Sequence, residues 1–178
     1  MWFMKIISNH IGRIGTQMIL EKMKLCFYVV YENYFQPYKH IDMMTKKYLD
    51  ELTYEIIGGA IEVHKIMGMG LLESVYHECL KQELLYRNIN FCTEMKIPVV
   101  YKGKVLNVDF RCDLFVEDSI VVELKSVQEM IPIYEAQLLT YMKLLKCPKG
   151  ILINFNCSNI FKEGQKTFVN EYFRTLPD

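Results

Sequence analysis

The sequence predicts an α/β fold in which a mixed central β-sheet is flanked by helices, and three observations support this prediction. Apolar residues recur every three or four positions in segments 49–67 and 71–87, a spacing typical of amphipathic helices. From Phe91 the period changes to two, with the short loops that join antiparallel strands. A third helical segment, 132–146, precedes the apolar segment 151–155, so this later strand can pair in parallel with the sheet.

Breaks in the alternating pattern divide the predicted strands. Pro98 marks an edge or a bulge after which the first strand continues, while Lys102-Gly103 and Glu117-Asp118 mark tight turns. Residues 156–164 are expected to form a loop. The predicted strand segments are 91–97, 99–101, 105–110, 112–116, 119–125, 151–155 and 166–169.

Composition excludes a global attraction to nucleic acid. The 178 residues suit one domain, and 21 basic residues balance 21 acidic ones, so a nucleic-acid role requires a local basic patch. No segment approaches the roughly 18 consecutive apolar residues of a membrane span, and no signal peptide is recognisable. The six cysteines form no CxxC pair, and we interpret them as reduced. We therefore expect a cytoplasmic protein without a membrane partner.

The amino-terminal segment fits poorly with the rest of the chain. Residues 1–43 carry aromatic residues and methionines but no sustained period, and a clear helical pattern starts at Met43-Met44. We expect 1–43 to be a peripheral extension, or upstream sequence outside the native fold, with Met43 or Met44 as the natural start. Residues 44–172 are then the folded domain, and 173–178 a frayed tail.

Three charged residues interrupt the strand pattern just before the third helix. Asp113 lies on one predicted strand, and Glu123 and Lys125 lie two apart on the next, so these two share one face of their strand. Two carboxylates that converge with a backbone carbonyl form a hard oxygen site of the kind that binds Mg²⁺. Such an ion polarises a phosphoryl oxygen and activates water, and a nearby lysine can orient that water.

The same residues also allow a purely structural interpretation. Glu-x-Lys is common on alternating strands, so Glu123 and Lys125 can be a solvent-facing pair and Asp113 a surface residue near a turn. The order of elements favours the functional interpretation. An Asp on one strand, an apolar-x-Glu-x-Lys strand about ten residues later, then a helix and a strand, resembles the PD-(D/E)XK phosphodiesterase superfamily. Cys112-Asp113 stands here where that superfamily usually has Pro-Asp.

Within that superfamily, the chain is most similar to the GxxExxY protein family. The signature is GLLESVY at 70–76, and it follows AIEVHKIMGMG at 60–70. Two later blocks are also similar to that family, EAQLLTYMKLL at 135–145 and GILINFN at 150–156. The resemblance covers about residues 45–170, and it rests on several blocks in the same order.

This resemblance implies a restriction-endonuclease-like core and a set of site residues. It implies that Asp113 and Glu123 bind a metal ion, Mg²⁺ or alternatively Mn²⁺, and that Lys125 is the catalytic lysine. Glu73 is a third candidate metal ligand. The alternative for Glu73 is helix capping, with Gly70 as N-cap and Glu73 at N3, where a carboxylate favours the helix dipole.

The third helix contributes one further candidate. Gln137, which lies at helical spacing from Tyr134 and Tyr141, resembles the auxiliary polar residue of several superfamily branches, or it is a partly exposed polar position. Tyr76 can either pack beneath the site or form a hydrogen bond to a ligand, and we favour packing.

Two histidines and a group of basic residues have mainly structural interpretations. His64 is expected to be a hydrogen-bonded core residue, and His77 to pair with Glu73 on the helix surface. The basic residues of the hairpin region are candidate phosphate contacts, although each alone is an ordinary solvated side chain. They are Lys96, Lys102, Lys104 and Arg111.

The function that these features predict is Mg²⁺-dependent hydrolysis of phosphodiester bonds in nucleic acid. The alternative is a non-catalytic module on the same fold that binds nucleic acid or a protein. Nucleic acid is the expected partner, and a homodimer is compatible with the fold.

Overall fold

A five-stranded mixed sheet with helices on both faces carries the candidate site. The computed structural model describes residues 44–108 and 110–178, so the predicted extension 1–43 lies outside the described part. The helices are α1 (Lys46–Met67), α2 (Glu73–Tyr86), α3 (Pro132–Leu144) and α4 (Glu171–Arg174). The strands are β1 (Phe91–Lys96), β2 (Val99–Tyr101), β3 (Lys104–Leu106), β4 (Arg111–Val116), β5 (Ile120–Lys125), β6 (Lys149–Asn154) and β7 (Gln165–Val169).

The order of strands in the sheet is β1-β4-β5-β6-β7. Only β5 and β6 pair in parallel among these neighbours, and α3 connects them. A strand that follows a helical crossover can return parallel to its predecessor, whereas short turns make the other neighbours antiparallel. The mixed α/β sheet predicted from the sequence is therefore confirmed.

One expected strand continuation is wrong. Segment 99–101 does not prolong β1 beyond Pro98 but pairs with β3 in a separate two-stranded sheet, in register from Val99↔Leu106 to Tyr101↔Lys104. Proline has no backbone N–H to donate to a strand ladder, so pairing in the main sheet stops before it. The β2–β3 hairpin is thus an excursion between β1 and β4.

Helices α1 and α2 cover one face of the sheet. Their apolar stripes are buried against alternate residues of the central strands, as the helical period predicts. The strands β5 and β6 are buried along their whole length. The main core residues are Leu49, Leu52, Ile56, Ala60, Tyr76, Leu80, Leu84, Leu114, Val122, Leu124, Ile151 and Ile153.

Helix α3 lies over the other face, on the side to which the odd-numbered residues of β5 point. Its buried residues are Leu138, Tyr141 and Met142. Gly150 on β6 allows this close approach, because a Cβ there would lie 2.6 Å from Met142 Sδ and 3.0 Å from Leu138 Cδ1.

The register brings several strand ends together at one end of the sheet. The end of β5 pairs with the end of β6 at Lys125↔Asn154, and the end of β1 pairs with the start of β4 at Lys96↔Arg111. Because β4 and β5 are antiparallel, the start of β4 lies beside the end of β5. We call this the site end of the sheet, since Asp113, Glu123 and Lys125 lie near it.

The carboxyl-terminal segment is more ordered than expected. Asn170 caps α4 by accepting the Tyr172 N–H, and the Lys46 N–H donates to the Pro177 carbonyl at 2.8 Å. The predicted loop 156–164 contains a π-helical turn, Ile160–Gly164. These contacts tie the end of the described chain to the first turn of α1.

The cysteines are not uniformly reduced. Cys79, Cys112, Cys147 and Cys157 are free thiols. Cys92 is disulfide-bonded, so the interpretation of all six as reduced is wrong for this residue. Burial raises the pKa of the Cys147 thiol to about 12, which makes this thiol a core residue and not a nucleophile.

Replacement of Gly150 by Ala tests the contact between α3 and β6. The added methyl group would enter a filled space, so we expect a loss of about 1–3 kcal/mol in the free energy of unfolding, measured by urea denaturation. Gly58→Ala is the control, because the nearest atom there, 3.2 Å away, is the end of the flexible Arg87 side chain. Since alanine favours a helix over glycine, this control should be no less stable than the wild type. Equal midpoints for Gly150→Ala and the wild type would contradict the packing described.

Candidate active site

Glu123 and Lys125 form a buried ion pair at the end of β5. The two residues are 3% and 8% exposed, so the solvent-facing interpretation is wrong. The Lys125 ammonium donates to Glu123 Oε1 at 2.9 Å and to the Leu124 carbonyl at 2.7 Å. The alternation of the strand points both charged side chains to the face covered by α3, while Val122 and Leu124 enter the core on the other face.

Asp113 meets this pair where the β4–β5 ladder ends. The last backbone pair of this ladder is Leu114↔Val122, so Asp113 and Glu123 are the next residues on the two strands. The half-buried Asp113 carboxylate accepts the Leu124 N–H through Oδ2 at 2.7 Å. The carboxylate thereby replaces a backbone acceptor and is fixed beside Glu123.

Helix α2 also holds the start of β4. The His77 imidazole donates its Nε2–H to the Asp113 carbonyl at 3.2 Å. His77 is thus directed at the site strand and not at Glu73, in contrast to the predicted helix-surface pair. His64 donates in the same way to the Cys157 carbonyl at 2.8 Å, as expected of a hydrogen-bonded histidine, although it is only half-buried.

The electrostatics of the pair reflect burial and crowded negative charge. Burial and then the Asp113 carboxylate raise the pKa of Glu123 to about 7, although Lys125 opposes this shift and Glu73 adds to it. Burial lowers the pKa of the Lys125 ammonium, but attraction to Glu123, Glu73 and Asp113 outweighs it and raises the pKa overall. Lys125 is therefore protonated at neutral pH.

One oxygen of Glu123 has no partner in the described structure. Glu123 Oε2 is buried and makes no hydrogen bond, which costs about 1–3 kcal/mol for a polar group of this kind. With the Asp113 carboxylate, this oxygen forms a donor set of the hard type that Mg²⁺ and Mn²⁺ prefer. By their chemistry these two carboxylates fit a divalent cation as a pair. Within 44–108 and 110–178, no third His, Cys, Asp or Glu side chain completes a group that could hold a metal ion.

Glu73 reaches the site from the first turn of α2. Its carboxylate Oε1 lies 3.8 Å from the Lys125 ammonium, and its side chain is 45% exposed. The capping-box interpretation with Gly70 is wrong, because Leu72 is the N-cap and Glu73 is the first helical residue. The structure thus brings Glu73 to the lysine, opposite Glu123.

The loop before α2 explains the remaining positions of the GxxExxY signature. Gly70 has a φ of 96°, a backbone conformation that favours glycine. The buried Tyr76 hydroxyl donates to the Gly68 carbonyl at 2.8 Å and accepts the Leu71 N–H at 3.1 Å. Its ring stacks on Phe155 with centroids 4.4 Å apart, so the packing role predicted for Tyr76 is confirmed.

The loop is also tied directly to the strand that carries the lysine. The Ser126 hydroxyl donates to the Leu71 carbonyl at 2.7 Å. Asn154, at the end of β6, donates to the Val127 carbonyl at 2.9 Å and accepts the Val127 N–H. Side chains therefore fix the backbone of both the loop before α2 and the segment after β5 at the site end of the sheet.

Helix α3 brings a polar group behind the carboxylates. Gln137 donates its amide Nε2–H to the Tyr141 hydroxyl at 2.7 Å, and burial followed by the Glu123 charge raises the pKa of Tyr141 to about 12. The Tyr134 ring centroid lies 5.6 Å from the Lys125 ammonium, within the range of a cation–π contact. Gln137 is thus half-buried and paired with a tyrosine near the site.

Sequence reasoning missed four residues of the site. The contacts of His77, Ser126, Tyr134 and Asn154 are all tertiary, so no local pattern specifies them. Two of them nevertheless had a signal in the sequence: Asn154 is the one polar residue of the predicted strand 151–155, and Tyr134 lies at helical spacing from Gln137 and Tyr141.

The chain has a mixed sheet between helices, with an Asp on one strand and Glu-x-Lys on the next, and these residues lie together at one end of the sheet. This arrangement defines a restriction-endonuclease-like core. The family model described as the PD-(D/E)XK nuclease superfamily matches residues 50–168, about two thirds of the chain. The chain belongs to this superfamily, as predicted, while the closer likeness to the GxxExxY family stays a resemblance. Comparison with curated proteins and with solved structures gave no match. No helix in the described part of the chain has the length and apolar character needed to cross a membrane.

The hydroxyl of Tyr76 can be removed without loss of its ring. Tyr76→Phe should lower the free energy of unfolding by about 1–3 kcal/mol, because the Gly68 carbonyl and the Leu71 N–H lose their partner inside the protein. Tyr54→Phe on the exposed surface of α1 is the matched control and should leave stability within about 0.5 kcal/mol. Urea denaturation checks both, and equal effects of the two substitutions would show that the hydroxyl does not hold the loop.

Proposed function

We propose that this protein hydrolyses phosphodiester bonds of nucleic acid with the help of Mg²⁺, or alternatively Mn²⁺. The observation that carries this proposal is the buried pair of Glu123 and Lys125 beside Asp113, with one carboxylate oxygen that has no partner among the described residues. A charge pair that served stability alone would have its oxygens satisfied, since a buried pair already repays its desolvation poorly. Membership of a nuclease superfamily supports the same function.

In the proposed site, Asp113 and Glu123 would hold the metal ion. When bound, such an ion lowers the pKa of a coordinated water and polarises a phosphoryl oxygen. The hydrogen bond from the Leu124 N–H fixes the rotamer of the Asp113 carboxylate, and His77 fixes its backbone. The protein thus orients one acidic side chain through two elements before any substrate binds.

Lys125 supplies positive charge and is not a base. Its raised pKa keeps the ammonium protonated, so it can donate hydrogen bonds to the attacking water or to a phosphate oxygen. Glu123 lies on one side of it at 2.9 Å and Glu73 on another at 3.8 Å, with the Tyr134 ring nearby. These three contacts limit where the ammonium can move.

Gln137 is proposed as a site residue that acts through Tyr141. Its hydrogen bond orients the tyrosine hydroxyl, and the Glu123 carboxylate influences that hydroxyl electrostatically. Gln137 therefore positions the polar layer behind the carboxylates.

A non-catalytic binding module on the same fold is the alternative. It is favoured by one observation: the Lys125 ammonium already occupies Glu123 Oε1 and the Leu124 carbonyl, two oxygens that a metal ion would also use. In such a module the acidic and basic groups would neutralise each other. A cytoplasmic location and a homodimer also stay predictions.

Loss of single charges at the site should abolish or strongly slow cleavage. We expect Asp113→Asn and Glu123→Gln to remove metal-dependent cleavage, and Lys125→Ala to slow it by about 10²–10³-fold, the typical cost of one transition-state contact. Asn retains an oxygen for the Leu124 N–H, so the first substitution tests the charge. The measurement is a panel of labelled single-stranded, forked and duplex DNA and RNA with Mg²⁺ and with Mn²⁺.

Glu78→Gln and Lys81→Ala are the matched controls. They remove an exposed ion pair on α2, whose nitrogen and oxygen lie 2.8 Å apart, and they should leave cleavage unchanged. Cleavage by Glu123→Gln at the wild-type rate would refute the assignment. Binding of nucleic acid without cleavage by the wild type would favour the non-catalytic module.

We further propose that Glu73 acts mainly on the lysine and not as the third metal ligand that the resemblance implies. Its nearest charged partner is Lys125, and it completes no metal-binding group in the described structure. Glu73→Gln should therefore change Mg²⁺ affinity by less than about 3-fold in calorimetric titration, since exposed charges act weakly at this distance. The rate of cleavage should fall. A loss of Mg²⁺ affinity equal to that of Asp113→Asn would return Glu73 to the ligand set.

A further inference from the structure

The β2–β3 hairpin starts beside the candidate site. It is inserted between Lys96 and Arg111, which pair with each other at the site end of the sheet. Arg111 is two residues before Asp113 in the chain. Its base is anchored by the Ile97 N–H, which donates to the Phe110 carbonyl at 2.7 Å. The Phe110 ring packs on Tyr141, the tyrosine behind Glu123, with centroids 4.6 Å apart. The base of the hairpin is therefore linked to the site layer.

Beyond this base, the hairpin is open to solvent on both faces. All residues from Val100 to Val108 are exposed. Val100 and Val105 pair across the strands on one face, at 52% and 61% exposure, and Tyr101 at 61% lies on the other. A two-stranded sheet is marginal in water, and exposed apolar groups on it indicate a surface that binds a partner.

The hairpin is also locally basic in a chain of zero net charge. Segment 96–110 contains three lysines and a single acidic residue, Asp109. Lys102 lies in the turn and Lys104 follows it, and the Lys102 ammonium lies 5.4 Å from the centroid of the Tyr101 ring. Positive charge beside an exposed aromatic ring matches a phosphate beside a base, so the charge selects nucleic acid over a second copy of this neutral chain.

We propose that this hairpin binds the nucleic acid next to the bond to be cleaved. This proposal rests on the nuclease function proposed above. Lys102 and Lys104 contact phosphates, while Tyr101, Val100 and Val105 contact the faces of unstacked bases. Segment 99–106 contains none of the Arg, Asn, Gln or acidic side chains that usually read base edges, so the contact is independent of sequence. Because base faces are accessible only where stacking is interrupted, the substrate class is single-stranded or forked nucleic acid.

Binding assays on the full-length protein test the hairpin separately from catalysis. Fluorescence anisotropy in EDTA compares one labelled strand alone, in a fork and in a blunt duplex. We expect the duplex to bind more weakly than the other two forms. Tyr101→Ala should weaken binding of the single strand about 5- to 100-fold, the range for loss of one base–aromatic stack. Lys102→Gln with Lys104→Gln should reduce the slope of log affinity against log salt by about 1.4 for two phosphate contacts.

Matched controls remove the same side chains elsewhere. Tyr54→Ala on α1, and Lys47→Gln with Lys143→Gln, alter exposed residues on other elements and should leave binding unchanged. Circular dichroism of every variant should match the wild type, since the changed residues are at the surface.

The outcomes separate this proposal from the nuclease function. If hairpin variants bind and cleave like the wild type, the hairpin proposal is wrong while the nuclease function stands. If the wild type binds single strands through the hairpin but never cleaves with Mg²⁺ or Mn²⁺, the hairpin proposal is supported and the nuclease function is wrong. If the variants change only self-association in sedimentation velocity, the hairpin is a contact between copies and the proposal is overturned.

Discussion

The arrangement of side chains at the site end of the sheet depends on the buried ion pair of Glu123 and Lys125. Burying two charges is costly, and a pair of this kind stabilises a fold poorly compared with apolar residues of the same volume. Here the cost is increased by Asp113 and by an oxygen of Glu123 that has no hydrogen-bond partner within 44–108 and 110–178. Three elements meet the pair, with Asp113 from β4, Glu73 from α2 and Tyr134 from α3. Such convergence of titratable groups at an energetic cost is the physical mark of a functional site.

The signature at 70–76 spans the start of α2, and its glycine, glutamate and tyrosine each have a different role. Gly70 supplies a backbone conformation that other residues adopt at a cost, and Tyr76 holds the two ends of the resulting loop from inside the core. Glu73 then starts the helix and faces the lysine. The signature therefore connects the core packing of α2 to the electrostatics of β5.

The sequence predicted features that depend on residues close together along the chain and missed features that depend on tertiary contacts. The periods of 3.6 and 2 placed the main helices, the central strands and the shared face of Glu123 and Lys125, because burial of an alternate face is a local property. The separate hairpin after Pro98 was missed, since strand partners are chosen by tertiary pairing and a three-residue strand carries little pattern. The N-cap of α2 was misplaced because Leu72 makes no side-chain capping hydrogen bond, so the sequence carries no capping signal there. The contacts of His77 and Tyr134 were missed because they are tertiary.

A second buried lysine shows that burial of charge alone does not mark the site. Lys149 begins β6, at the end of the sheet opposite to Lys125, and is 4% exposed. It donates to the Leu49 carbonyl and pairs with the exposed carboxylate of Asp50, and the Phe173 ring lies 5.4 Å from it. Lys149 thus joins α1, β6 and α4 with one carboxylate in reach of water. Lys125 instead shares three carboxylates, one with a buried oxygen that has no partner in the described part of the chain, and that excess of negative charge is what a divalent metal ion would neutralise.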